Sequence, residues 1–513
     1  MAKYLMGIDA GNTSTKAVLF DLEGGFIASA SKSAKEFPRH TPGFEEFDVD
    51  QQWENCVACI RTVLNKANVA GEDILGIGIT SFGNGLTFLG KNGENIGPCA
   101  FSIDSRSADV IKMYYETGVA DKIREIIKCD IMSCSPGPIL RWFKDNRRDV
   151  YDKIGYVLLF KDFLAFRLTG ENTGDLNNIG GSWLLNMDTF EYSKELMELY
   201  GIPEMYDKLP RIASSSSDPV GYITREAAEL TGLKAGTPVA ACMMDMLACQ
   251  LGAGGIEPHV YTAIAGTWSC NVAVTDQIYI KPTICNMPYL TKGKYQMSNN
   301  TAASASNYEW FANTLGDRAA NEAIARGHGA SKFDVLNELI ASVGAGGTPT
   351  MYLPFLSQPS VHNGAMGSFH NIHTGTTYAE MVYALAEGVA FIHRYHFEKM
   401  ADAEGVPPVK ARLTGGITRS DEWSQLFADV LNLTVECADC AEAGALGCAI
   451  CAGIGAGVYR DYEDGVAKAV KLRPPFYPNP KNVEILNKRY AQWLDIIQAM
   501  EHYWEKRAQG QYN

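Results

Sequence analysis

No uninterrupted apolar stretch in this chain is long enough to cross a bilayer, and no basic segment followed by a long apolar run precedes the first strand-like residues. A membrane-spanning or exported protein is therefore not expected, and a cytoplasmic one is. Positive charge is also in short supply: 45 Lys and Arg stand against 59 Asp and Glu, a formal net charge of −14. That balance argues against nucleic acid or anionic membrane as partners, so any phosphate ligand has to be held locally by backbone amides, a few cations and a metal. Cysteine is not scarce, at 13, but the total is odd and no leader is expected, which argues against a disulfide framework. What remains is a chain of 513 residues, 46% hydrophobic and 20% charged, long enough for two or more domains with their own cores.

Two CxxC pairs, Cys437/Cys440 and Cys448/Cys451, have a spacing that can hold zinc on knuckle turns. The second pair sits in a run of small residues, Gly444 to Gly453, that reads as a tightly packed helix in which cysteine acts as a small hydrophobe. Cys56 and Cys59 on an expected helix from Asp50 to Ala67 are read the same way.

The organising stretch is Gly7 to Phe20, GIDAGNTSTKAVLF, an acidic residue and a Gly/Ser/Thr turn between two short apolar runs. The runs read as a buried β-hairpin. In the turn, Gly11 permits close backbone approach to an anion, Thr13, Ser14 and Thr15 add hydroxyls, Lys16 adds charge, and Asp9 suits a hydrated divalent cation. The Walker spacing is absent, and an ordinary polar turn is the competing reading.

A further strand is expected over Phe26 to Ala34, then a Pro/Gly loop over 38–47, and then the helix with Asp50 as its N-cap. The buried strand Ile74 to Thr80 opens onto the Gly-rich loop Ser81-Phe82-Gly83-Asn84-Gly85, placed where α/β sheets bind ligands. Beyond it, Asp104 and Arg106 either contact a polyhydroxy ligand or pair with each other on the surface, where a helix from Asp104 to Thr117 is expected to begin. The strand Val239 to Cys242 ends at Met244-Asp245, leaving a carboxylate at a strand-to-helix junction, where a simple N-cap is the alternative role. Near Gly254 the opening design starts again: His259 to Val274 is strand, Gly266-Thr267 turn and strand. Two such hairpins imply two related domains with a nucleotide held in the cleft between them. Arg412 to Thr414 is a short strand before Gly415-Gly416, a double glycine suited to a flat adenine or ribose surface or simply to a tight turn, and Ser420 precedes a helix.

In order and spacing, GIDAGNTSTKAVLF, the Asp245 turn, AIAGTWS and LTGGITRSDEW resemble the FGGY family of carbohydrate kinases essentially end to end, joined by the stretches around Lys161-Asp162 with Asp175, Glu387-Gly388 and Glu442 to Ala449. The resemblance implies an α/β protein of two ribonuclease H-like, actin-like ATPase domains around a central cleft, residues 1–253 for sugar and 254–513 for nucleotide. It implies ATP and Mg²⁺ as cofactors and Asp245 as catalytic base. Asp9, with Asp245, would hold the metal. Gly11, Asn12, Thr13, Thr15, Lys16, Gly266 and Thr267 would serve the phosphates, and Gly415, Gly416 and Ser420 the adenosine. Phe82, Gly83, Asn84, Asp104, Arg106 and Asp245 would meet the sugar. Phe82 stands where many relatives carry glutamine, which weakens any copied specificity. The layout of Gly85 to Arg106 and Cys134 to Trp142 is similar to pentulose kinases of the family, so a ketopentose of the xylulose type is expected, with other polyols and an actin- or chaperone-like ATP switch as the alternatives. Partners are then a small sugar and ATP, without nucleic acid or membrane, and a homodimer is the candidate assembly.

Overall fold

The computed structural model describes residues 2–34, 41–327, 331–357 and 360–511. Of the loop expected over 38–47, positions 38–40 lie outside the described residues. Two six-stranded sheets organise the chain. The first contains β1 (Tyr4–Ala10), β2 (Ser14–Asp21), β3 (Phe26–Ser33), β4 (Ile74–Ser81), β5 (Pro219–Tyr222) and β6 (Pro238–Ala240), in the order β5-β6-β4-β1-β2-β3. The second contains β7 (Val260–Ala265), β8 (Ser269–Thr275), β9 (Cys285–Pro288), β10 (Tyr295–Thr301), β11 (Lys410–Thr414) and β12 (Val435–Cys437), in the order β9-β10-β8-β7-β11-β12.

In each sheet the leading strand forms a hairpin with the next and a third strand continues antiparallel, while two strands join in parallel on the other side. The order β3-β2-β1-β4-β6 is thus repeated as β10-β8-β7-β11-β12, the duplicated ribonuclease H-like design expected from the two hairpins. β7 is buried along its whole length and β1 nearly so. Central strands covered on both faces read as continuous apolar runs, which is why the sequence exposes them.

Six helices matter here: α1 (Val49–Ala67), α2 (Asp245–Gly252), α3 (Tyr378–Glu404), α4 (Asp421–Leu431), α5 (Ala443–Gly455) and α6 (Pro480–Ala508). α1 begins earlier than its expected cap: Asp48, not Asp50, accepts hydrogen bonds from the amides of Asp50 (2.9 Å) and Gln51 (3.3 Å). The expected division at 253/254 falls between the sheets, but α5 crosses back to pack on β1, β4 and α2. Small residues permit this contact. A Cβ on Gly7 would overlap the carbonyl oxygen of Ala445, and one on Gly447 that of Ala248. Cys448 and Cys451 are buried in α5. Residues between Leu86 and Leu209 build a further layer with its own core, including Tyr114, Trp183 and Tyr200. Among the described residues, no helix is long and apolar enough to cross a membrane.

Candidate active site

The register of the first hairpin places Asp9 opposite Lys16 and, on the other side, beside Thr80. Gly11 to Thr13 form the turn, closed by the Gly11 amide donating to the Ser14 carbonyl at 3.0 Å, and Asn12 and Thr13 are exposed. Burial pushes the Asp9 carboxyl up to about 6, Lys16 pulling it down and Glu442 pushing it up. The Lys16 ammonium is bound to both Glu442 oxygens, at 2.9 and 2.7 Å. Thr15 is a correction. Strand alternation turns it away from Lys16, and its hydroxyl is fully buried, donating to Gln52 Oε1 of α1 at 3.1 Å. It holds the helix, not a phosphate.

Asp245 is the first residue of α2, after an extended Met244. The helix is not capped by its side chain in the usual way; Asp245 Oδ1 accepts from the neighbouring Met246 amide at 2.7 Å. The carboxyl, half-buried, is pushed up to about 7, first by burial and then by the charge of Asp9. Beyond burial, the charge of Asp245 bears on Cys249 of α2 and on Cys270 of β8, and that of Asp9 on Cys249; α2 also packs on β7 and β8, so β1, α2 and the second sheet meet here. Among the described residues no group of three or more His, Cys, Asp or Glu side chains is assembled for a metal ion. What fits a hard cation is the pair of carboxylates, whose repulsion it would relieve, with phosphate oxygens and water as the other ligands.

The loop after β4 departs from expectation. Phe82 is 5% exposed and packs in a cluster, stacked on Phe101 (4.7 Å between centroids) and Phe160 (5.4 Å), with Phe47 edge-on. Its side chain fills the core. Gly83 lies under the flexible end of the Met244 side chain. Asn84 has a left-handed backbone, φ 62°, and is buried with its Oδ1 unpartnered and its Nδ2 3.7 Å from Cys134 Sγ.

Asp104 and Arg106 do pair, but not on the surface. Both Asp104 oxygens accept from the Arg106 guanidinium (2.9 and 2.8 Å), and one also accepts from the Glu45 amide at 2.8 Å. Arg106 bonds Glu46 at 2.6 Å and lies 4.4 Å above the Phe44 ring. The pair is buried and anchors the loop, which corrects the exposed pair. The following helix starts only at Ala108.

In the second sheet, Gly266 and Thr267 line a cavity of about 410 Å³ together with Gly416 and Ser420. Gly415 has φ 109°, and a Cβ there would overlap the carbonyl oxygen of Ala265, so only glycine lets the two turns abut. Ser420 caps α4, accepting from the Trp423 amide at 3.2 Å. The cavity walls also include Ser306, Phe333, Asp334, Asn337 and Trp423, which the sequence did not single out. Its size and its apolar walls with a few polar groups suit a nucleoside.

The N-terminal domain of the FGGY family of carbohydrate kinases matches residues 4–252 and the C-terminal domain residues 261–456. Over 509 residues the chain is 30% identical to the L-xylulose/3-keto-L-gulonate kinase of Escherichia coli (strain K12), with 98% of each chain covered. The solved xylulose kinase from Rhodospirillum rubrum superposes with a TM-score of 0.84 at 25% identity, covering 98% of this chain and 100% of that one. The gluconate kinase from Lactobacillus acidophilus gives 0.85 at 22% identity, covering 99% and 100%, a likeness of fold. With both domains matched in order and a relative alike along its whole length, this chain belongs to the FGGY family of carbohydrate kinases and is an ATP-dependent sugar kinase.

Proposed function

We propose that this kinase transfers the γ-phosphate of ATP to a hydroxyl of a ketopentose of the xylulose type, with Asp245 as general base. The observation that carries the proposal is the Asp245 carboxylate itself, at the head of α2, raised to about 7 by burial and by the like charge of Asp9. A base whose pKa lies near the working pH combines a useful ionised fraction with a real affinity for the proton. As the sugar oxygen attacks phosphorus, its proton passes to an Asp245 oxygen. The amides and hydroxyls of the Gly11 to Thr13 and Gly266-Thr267 turns orient the phosphates, and the cavity behind Gly415, Gly416 and Ser420 takes the adenosine. Asp9 and Asp245 would hold Mg²⁺, which would supply positive charge against the transferring phosphate. Positioning and charge stabilisation then account for most of the catalysis, since phosphoryl transfer asks little covalent work of the protein.

For the sugar, Asn84 offers a buried, unpartnered acceptor, while Arg106 is already neutralised by Asp104 and Glu46. Such a loop favours a neutral polyhydroxy substrate over a sugar acid. An ADP-release assay across D- and L-xylulose, ribulose, erythritol, glycerol and gluconate tests this. A ketopentose should give the highest kcat/KM, Asp245→Asn should abolish sugar-dependent turnover, and Asn84→Ala should raise the sugar KM roughly tenfold, the worth of one buried hydrogen bond. Unchanged turnover in Asp245→Asn would sink the assignment.

A further inference from the structure

Away from the cleft, Cys129 and Cys285 hold their sulfurs 3.6 Å apart across the two halves of the chain. Cys129 follows the helix Val119–Ile127 in the layer attached to the first sheet, and Cys285 opens β9, the edge of the second. The surroundings are a fastened contact. Asn177 Nδ2 donates to the Pro288 carbonyl at 2.7 Å, Phe190 stacks on Tyr295 at 5.3 Å between centroids, and Lys292 pairs with Glu191 at 2.6 Å. The same seam reaches the catalytic loop: a Cβ on Gly181 would lie 2.9 Å from both Met244 Cε and Met287 Sδ. Met287 belongs to β9 and Met244 precedes Asp245.

We infer that Cys129 and Cys285 form a thiol-oxidation site at which a hydroperoxide closes a disulfide that ties β9 to the first half of the molecule. Cys285 is the half-exposed partner and Cys129 the buried one, so oxidant meets Cys285 first. The Cys129 thiol donates its hydrogen bond to the Cys285 sulfur, which holds Cys285 below the usual thiol range and Cys129 above it. The Cys285 thiolate attacks the O–O bond; an S–O bond forms, the O–O bond breaks, and water leaves after protonation. The Cys129 sulfur then displaces hydroxide from the sulfenic sulfur; the S–S bond forms, the S–O bond breaks, and a second water leaves. Two thiols and one hydrogen peroxide become one disulfide and two waters, with sulfur oxidised and peroxide reduced. The sulfurs must close from 3.6 Å to about 2.05 Å. A disulfide here fixes the seam beside Met244, and with it the relation between the sugar loop and the second sheet.

The test uses the full-length reduced protein, hydrogen peroxide, a thiol-blocking quench and peptide mapping without reductant. A cross-linked Cys129–Cys285 peptide should appear while phosphotransfer falls severalfold, and dithiothreitol should reverse both. Cys285→Ser and Cys129→Ser should keep basal activity, form no cross-link and resist the oxidant. Half-buried Cys249 and Cys270 flank the carboxylates, so inhibition that persists in Cys285→Ser overturns the proposed control. Trapping of Cys285 as its sulfenic acid with no cross-link overturns the pair. The map and the oxidant-induced rise in Tm, expected in the wild type and absent in Cys285→Ser, read the site even if no sugar is turned over.

Discussion

The Lys16 ammonium clasps the Glu442 carboxylate at 2.7 Å, joining the first hairpin to the start of α5 across 426 positions of sequence. Both bear on Asp9, which burial raises most, Lys16 pulls down and Glu442 pushes up. At about 6 the Asp9 carboxyl is already mostly ionised at pH 7, so the neighbouring charges act chiefly on the cation itself: Glu442→Gln removes a carboxylate beside the site, and the Mg²⁺ concentration for half-maximal turnover should rise. Lys16→Met removes the ammonium that repels the cation and should lower it. Each change should stay within about tenfold, the worth of one pKa unit. A magnesium titration of turnover checks both signs, and a shift of the same sign in both variants would refute the arrangement.

Asp245 and Asp9, raised to about 7 and about 6, make opposite demands on pH for activity and for stability. A base must be ionised, so kcat/KM should fall as pH drops through the pair's range, and Asp245→Asn should cost roughly 10²- to 10⁴-fold in kcat. In the folded protein these carboxyls bind protons more tightly than in the unfolded chain. That stability is fully present only below the ordinary carboxyl value of 3.8 and is lost as pH rises from there through the pair's folded values. Ligand-free Asp245→Asn should be more stable than wild type at pH 8, by on the order of 1 kcal/mol or more, and little changed at pH 4. Thermal unfolding at the two pH values, without magnesium, decides it.

The two hairpins were legible because a buried strand followed by a Gly/Ser/Thr turn is a local pattern, and the repeat of Gly7 to Phe20 at His259 to Val274 carried the duplicated fold with it. The carboxylate at Asp245 was legible for the same reason, a strand-to-helix junction written in consecutive residues. What depended on distant contacts was not. Nothing local says that Phe82 stacks on Phe101 and Phe160, that Thr15 bonds Gln52, or that Asp104 and Arg106 pair in the interior. Phe333, Asp334 and Asn337 reach the cavity beside Gly266 and Gly416 from the helix Lys332–Val343, whose capping box, Ser331 with Asp334, is seen only in the structure. α5 could be read as closely packed from its small residues, but not as packed on the other half's sheet.

Lys161 is buried between Asp162 and Asp175, 2.9 Å from the latter, and donates to the Ala241 carbonyl at 2.8 Å, where the chain leaves β6 for Asp245. Lys161→Met leaves two buried carboxylates without their cation, and should cost about 3–5 kcal/mol. Asp162→Asn should cost much less, because burial already pushes that carboxyl up to about 7 and the amide resembles its protonated form. Denaturant midpoints should therefore rank wild type, then Asp162→Asn, then Lys161→Met well below. The reverse order would mean that the lysine is not what holds the triad.

Gly7 tests whether α5 is part of the site or merely beside it. A Cβ there would overlap the Ala445 carbonyl oxygen, a backbone atom that no rotamer change can move, so α5 must lift from β1. Overpacking of this kind costs about 1–3 kcal/mol. The helix would also carry Glu442 and Gly444 away from Asp9, and a Cβ on Gly444 would at present lie 3.3 Å from Asp9 Oδ2. Gly7→Ala should therefore lower the unfolding midpoint and, at temperatures where the variant is still folded, raise the magnesium requirement for turnover. Gly97→Ala is the control: its Cβ would meet Val150 and Phe88 at 3.7 and 3.9 Å, ordinary contacts, and it should stay within about 0.5 kcal/mol of wild type. A folded Gly7→Ala protein with an unchanged magnesium dependence would separate the packing of α5 from the chemistry at Asp9.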